Sequence, residues 1–126
     1  LKALIRDNIS RADKEGVGIF SSDDAERLLE RSRLTWDDLV ARRKRAGVRR
    51  RIIYTWRKTK PPPGRVRENA VYIPYKEFPC TADISIAGDR VALVPYDEPI
   101  RAVAIEDAAI ASAFRAIFNA LWERAK

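Results

Sequence analysis

The chain has 126 residues, with 25 Lys and Arg against 18 Asp and Glu, which suits one ordinary domain, and its net charge of +7 is concentrated in residues 1–60, where 17 basic side chains face 9 acidic ones. It has no His and one Cys, Cys80. Those absences exclude Ser-His-Asp and Cys-His nucleophile systems, two-histidine metal helices, a disulfide framework and multi-thiolate zinc or iron–sulfur sites, so no catalytic residue, metal or cofactor is expected and the setting is expected to be reducing and cytoplasmic.

In chain order, Leu1, Leu4, Ile5 and Ile9 lie at helical spacing, and Gly16 follows as a stop. The first residue is not Met, which fits a piece of a longer protein, and charges at Lys2, Arg6 and Asp7 argue against a signal peptide. Residues 17–20 (VGIF) form a short apolar run suited to a buried strand, and Ser21 or Ser22 caps a brief helix holding Ala25, Leu28 and Leu29. A third helix starts at Thr35, with Asp38 three residues on and Leu34 and Leu39 as a hydrophobic staple, and it stops at Gly47.

Residues 48–56 read as a strand with Ile52 and Ile53 interior, and strand, helix, glycine, strand is the rhythm of a parallel βαβ unit. Three prolines in 60–64 (KPPPG) demand a loop. Beyond it come short runs at 71–73, 84–86, 91–94 and 103–105, with a hairpin turn at Gly88-Asp89, expected to be largely antiparallel. A helix from about Asp107 to Arg124 closes the chain. The expected fold is therefore α/β, a single domain with a mixed, partly antiparallel sheet flanked by helices. No apolar run approaches the roughly 20 residues that span a bilayer, so no membrane partner is expected.

The second half carries a family pattern in 71–74 (VYIP), 82–93 (ADISIAGDRVAL), 105–106 (IE) and 113–122 (AFRAIFNALW). It resembles the C-terminal domain of TrmB-like transcriptional regulators, where an R-Y-I-P segment leads to a G-D-K-V-A hairpin and a closing F-R-x-x-F-x-x-L-W helix. Phe114, Arg115, Phe118, Leu121 and Trp122 match that ending. The match is strong from Arg67 onward and loose before it; Val71 stands where the family has a basic residue, and 61–64 stiffens a loop. The resemblance implies half of a phospholipase-D-like fold, non-catalytic here, that senses a small effector, dimerises or both, while DNA is read by a winged helix-turn-helix domain outside this chain. Phospholipase D chemistry carries the phosphoryl group on a histidine, and this chain has none.

Candidate sites follow from chemistry and position. Ser21, Ser22 and Asp23 stand between a strand and a helix, where α/β folds place ligands against backbone amides, although capping alone explains them. Tyr54, Trp56, Tyr72 and Tyr75 offer an aromatic wall for a sugar or other small or anionic effector, with Arg57 or Arg67 for polar recognition, or else are core and rim. Phe114, Phe118 and Trp122 form one helix face, core against the sheet or the contact of a homodimer.

A second function class rests on the basic run of Arg42, Arg43, Lys44, Arg45, Arg49, Arg50, Arg51, Arg57, Lys58 and Lys60, uninterrupted by an acidic residue, which is either a solvated surface or a sequence-independent nucleic-acid contact. Consecutive strand residues face opposite ways, so one of Arg49, Arg50 and Arg51 must lie against the sheet and needs a carboxylate, an anion or an aromatic ring, with Glu106 or Asp83 available. An enzyme reading would have to rest on Asp23, Asp24, Asp83 and Glu106, whose spacing selects no reaction.

Overall fold

A computed structural model describes residues 15–31, 41, 44–45, 49–57 and 69–126. The expected N-terminal helix, most of the helix after Thr35, the proline loop, and Arg42, Arg43, Lys58, Lys60, Arg67 and the side chain of Arg49 lie outside the described residues; Ala41, Lys44 and Arg45 are helical and exposed.

Six strands form one sheet: β1 (Glu15–Ser21), β2 (Arg49–Trp56), β3 (Ala70–Pro74), β4 (Ala82–Ala87), β5 (Arg90–Pro95) and β6 (Val103–Glu106). Two helices accompany them among the described residues, α1 (Ser22–Arg31) after β1 and α2 (Ala108–Ala125) after β6. The sheet order is β3-β2-β1-β4-β5-β6. β1 and β2 are parallel, with Ser21 opposite Thr55, as the βαβ rhythm requires.

β4, β5 and β6 are antiparallel. β3 departs from the antiparallel expectation: it runs parallel to β2, with Tyr54 opposite Tyr72. The connection over 57–69 is long enough for the crossover that parallel neighbours need, whereas β4 and β5 are joined by the two-residue turn Gly88-Asp89, which only antiparallel strands can use. Gly88 has φ 58°, a left-handed conformation open to glycine without steric cost.

The strand period divides the side chains between two faces. One face carries Val17, Ile19, Ile53, Ile73, Ile86 and Val91, and α2 covers it with Ala111, Phe118 and Trp122 in one continuous core. Asp107 caps this helix, its carboxylate accepting from Ile110 N at 2.9 Å. The other face packs Phe20 and Ile52 against Ala25 of α1. Tyr54 meets Phe20 edge-on at 4.9 Å between ring centroids.

No described helix is long and apolar enough to cross a membrane.

Candidate functional site

The pairing of the parallel strands β1 and β2 ends with Ser21 opposite Thr55, one residue before β2 itself ends at Trp56, and α1 begins at the next residue after Ser21, Ser22. Ser21, Ser22, Asp24, Thr55 and Trp56 are all buried there. A carboxylate in this position has to be compensated, because burial alone would drive it neutral. Asp24 accepts from Ser21 Oγ at 2.6 Å and Arg57 Nη2 at 3.1 Å, and Arg27 one turn on binds its other oxygen. Burial pushes its carboxyl up, yet the hydrogen bonds from Ser21, Arg57 and Arg27 outweigh it and hold the group below the usual carboxylate range. Asp24 is thus held as an anion.

Arg57 is itself held from two sides. Its guanidinium lies 4.0 Å from the centre of the Tyr75 ring while it donates to Asp24. Further hydrogen bonds tie the strand ends together: Tyr75 N and the Tyr72 hydroxyl both donate to Trp56 O at 3.2 Å, and Ser21 N donates to the Tyr96 hydroxyl at 3.0 Å. Burial pushes the Tyr96 and Tyr72 hydroxyls up, so both stay protonated. Burial also pushes the Cys80 thiol up to about 11; it donates to Ala82 O at 2.9 Å and is no nucleophile at neutral pH.

Within this set some polar atoms have no hydrogen-bond partner. Ser22 Oγ and Thr55 Oγ1, in residues 1% and 0% exposed, are unsatisfied, as are Trp56 Nε1 and Asp23 Oδ1. Each such buried group costs about 1–3 kcal/mol unless something binds it. The hydroxyls both donate and accept, the indole only donates, and the carboxylate oxygen only accepts. Hydroxyls that can both donate and accept suit a small polar molecule better than a lone ion, and among the described residues no three His, Cys, Asp or Glu side chains converge on a metal position.

Of the residues singled out from sequence, Ser21, Ser22, Trp56 and Arg57 meet at these strand ends. Tyr54 and Tyr72 form a cross-strand row with Phe20 on the α1-facing side of the sheet, which assigns Tyr54 to packing. Thr55 and Tyr96 belong to these strand ends without any motif that marks them in the sequence, and Asp24 stands there among four carboxylates whose spacing selects no reaction. Asp24 carried a local signal, three residues after Ser21 at a helix start. Tyr96 carried none, because its partner Ser21 lies 75 positions away.

Two other expectations resolve differently. Phe118 and Trp122 are buried core, and Phe114 packs half-buried against that core, so this face of α2 packs on the sheet. In the basic run, Arg50 and Arg51 turn inward to opposite faces. Arg50 Nη2 donates to Ser85 Oγ at 3.0 Å, and its guanidinium crosses β1 above Gly16 and Gly18. Burial lowers its pKa, opposed by the nearby Asp83. Arg51 lies over the Phe118 and Trp122 rings at 5.1 and 5.6 Å and donates to Asn119 at 2.9 Å. Glu106 serves neither: Arg90 stands 3.8 Å from it across β5 and β6.

No protein-family model matches the chain, and a search of curated proteins finds no match.

Proposed function

We propose that this chain is a non-catalytic effector-sensing domain of a TrmB-like regulator, binding a small polar molecule at the ends of β1 and β2. The reading is carried by the buried, unsatisfied Ser22 and Thr55 hydroxyls at the adjoining ends of β1 and β2, with the Arg57–Tyr75 stack immediately beyond β2. Such a group of donors and acceptors is matched by a sugar or a comparable polyol, with Asp24 and Arg57 as the charged pair that orients it. Two further observations support the absence of catalysis: the chain has no histidine, and Asp24 is neutralised by two arginines. A ligand that prefers one state of the domain would bias a DNA-reading domain elsewhere in the full protein by population shift.

Thermal-shift screening against neutral sugars, polyols and small carboxylates tests this. A hit at 100 times its Kd stabilises the domain by about 2.7 kcal/mol. Ser22→Ala with Thr55→Val should remove the shift while leaving the unliganded protein as stable or more so, since both unsatisfied hydroxyls are gone. A shift that survives the double variant places the ligand elsewhere.

A further inference from the structure

Ile100, Val103, Ile110 and Ile117 are the exposed large hydrophobics among the described residues, at 39, 50, 39 and 61%. All four fall on β6, the segment leading into it, or the helix that follows it. β6 is also an edge: it pairs with β5, and no described strand lies on its other side. Apart from Glu106 this short edge strand is apolar, and an edge with no lysine or proline in it is a template for pairing with another strand.

We infer that β6 is the contact of a symmetric dimer, in which two copies of this chain join their sheets antiparallel through this edge. The backbone fixes which groups are offered. Asp107 N donates to Asp89 O at 3.0 Å, so the amide and carbonyl of Asp107 face β5. Alternation then turns those of Ile105 and Val103 the same way, and those of Ala104 and Ala102 outward. A two-fold pairing therefore sets outward residues opposite outward residues, and Ala104 on the axis satisfies this.

Side chains select that register. With Ala104 facing its own copy, Val103 lies opposite Ile105 of the second copy, and Glu106 lies opposite the small Ala102 of the second copy and not against another anion. Apolar meets apolar and no like charges meet, each twice by symmetry. Val103 and Ile105 stand opposite Leu93 and Val91, which pack on the α2 side, so the joined strands place them on the face where Ile110 and Ile117 are exposed. The contact is separate from Phe114, Phe118 and Trp122, and it is independent of the effector reading: a monomer that still binds its ligand would sink this inference alone.

Sedimentation equilibrium of the chain between about 1 and 100 µM should show a monomer–dimer equilibrium. Val103→Lys and Ala104→Pro should each weaken it by at least about tenfold. The Ala104 amide faces away from β5, so proline there removes no bond within the monomer, and unchanged circular dichroism would verify the fold. Residues paired across the axis lie about 5.5 Å apart at Cα, within disulfide reach. Ala104→Cys should therefore oxidise to a linked dimer, and Val103→Cys or the α2 surface variant Ala116→Cys should not. A monomer throughout the range, a dimer indifferent to both β6 variants, or cross-linking through Cys at 103 in place of 104 would overturn the inference.

Discussion

Arg50 and Arg51 are chemically identical neighbours, and the two-residue period of β2 sends them to opposite faces of the sheet with different partners. Arg50 needs room to cross β1, and the room is glycine: a Cβ on Gly18 would lie 2.5 Å from Arg50 Nη2. Gly18→Ala should push the guanidinium off Ser85 and cost about 1–3 kcal/mol in urea unfolding. Arg50→Ala removes the obstacle, so the double variant should cost less than the two single losses added, by at least about 0.5 kcal/mol. Strict additivity would mean that the guanidinium does not occupy that position.

Asp24 gives a pH signature at the same scale. Its native pKa lies below the ordinary carboxylate value of 3.8, so the native state favours the charged form. The stability it contributes is present in full above the unfolded pKa and is lost as pH falls through the lower native value. Asp24→Asn should cost about 2 kcal/mol at neutral pH, the usual scale for hydrogen bonds to a charged group. Urea midpoints followed from about pH 6 down to about pH 2 should then fall less steeply in the variant than in the parent. Parallel acid limbs would refute the assignment.

At the scale of elements, α2 is clamped to the sheet by more than its apolar stripe. Arg51 reaches from β2 to lie over Phe118 and Trp122, whose rings are stacked 5.8 Å apart, and it also binds Asn119. Lysine keeps the charge but loses the planar stack and the fixed fork, so Arg51→Lys should cost about 1 kcal/mol and lower the melting temperature of the whole domain. A loss confined to local changes near Asn119 would argue that the helix is held by burial alone. The strands were legible because each is a short apolar run between breakers, and the helix because Asp107 sits where an N-cap should. The direction of β3 was not legible, since its period is the same in a parallel or an antiparallel pair and only its neighbour decides.

At the scale of the molecule, the uneven charge remains a candidate nucleic-acid surface, but a smaller one than the ten basic residues between Arg42 and Lys60 suggested. Arg50 and Arg51 are committed inward and Arg57 is bound to Asp24, while Lys44 and Arg45 stand exposed on a helical segment. We propose as the second function that this remaining surface binds duplex DNA without sequence preference. Affinity should then fall steeply with salt, and Lys44→Glu with Arg45→Glu should reduce it at least about tenfold without lowering stability. Fluorescence anisotropy at low and moderate salt measures both, and no binding at low salt would remove the reading. Substituting Arg50 or Arg51 would be a poor test, because each loss would damage packing as well as charge.

Composition and local pattern by themselves determined that this chain lacks histidine chemistry, folds as an α/β domain and alternates its strands and helices in the observed order, because these properties depend on residue content and on neighbours a few positions apart. Pattern also required an inward arginine in the Arg49–Arg51 run, since a strand cannot point three adjacent side chains one way. Tertiary structure decided which partners those arginines found, that Phe118 and Trp122 are core, and that Asp24, Thr55 and Tyr96 gather around Ser21. It also left β6 as the apolar edge. These outcomes depend on sheet order and on contacts between residues far apart in the chain, which no local spacing encodes.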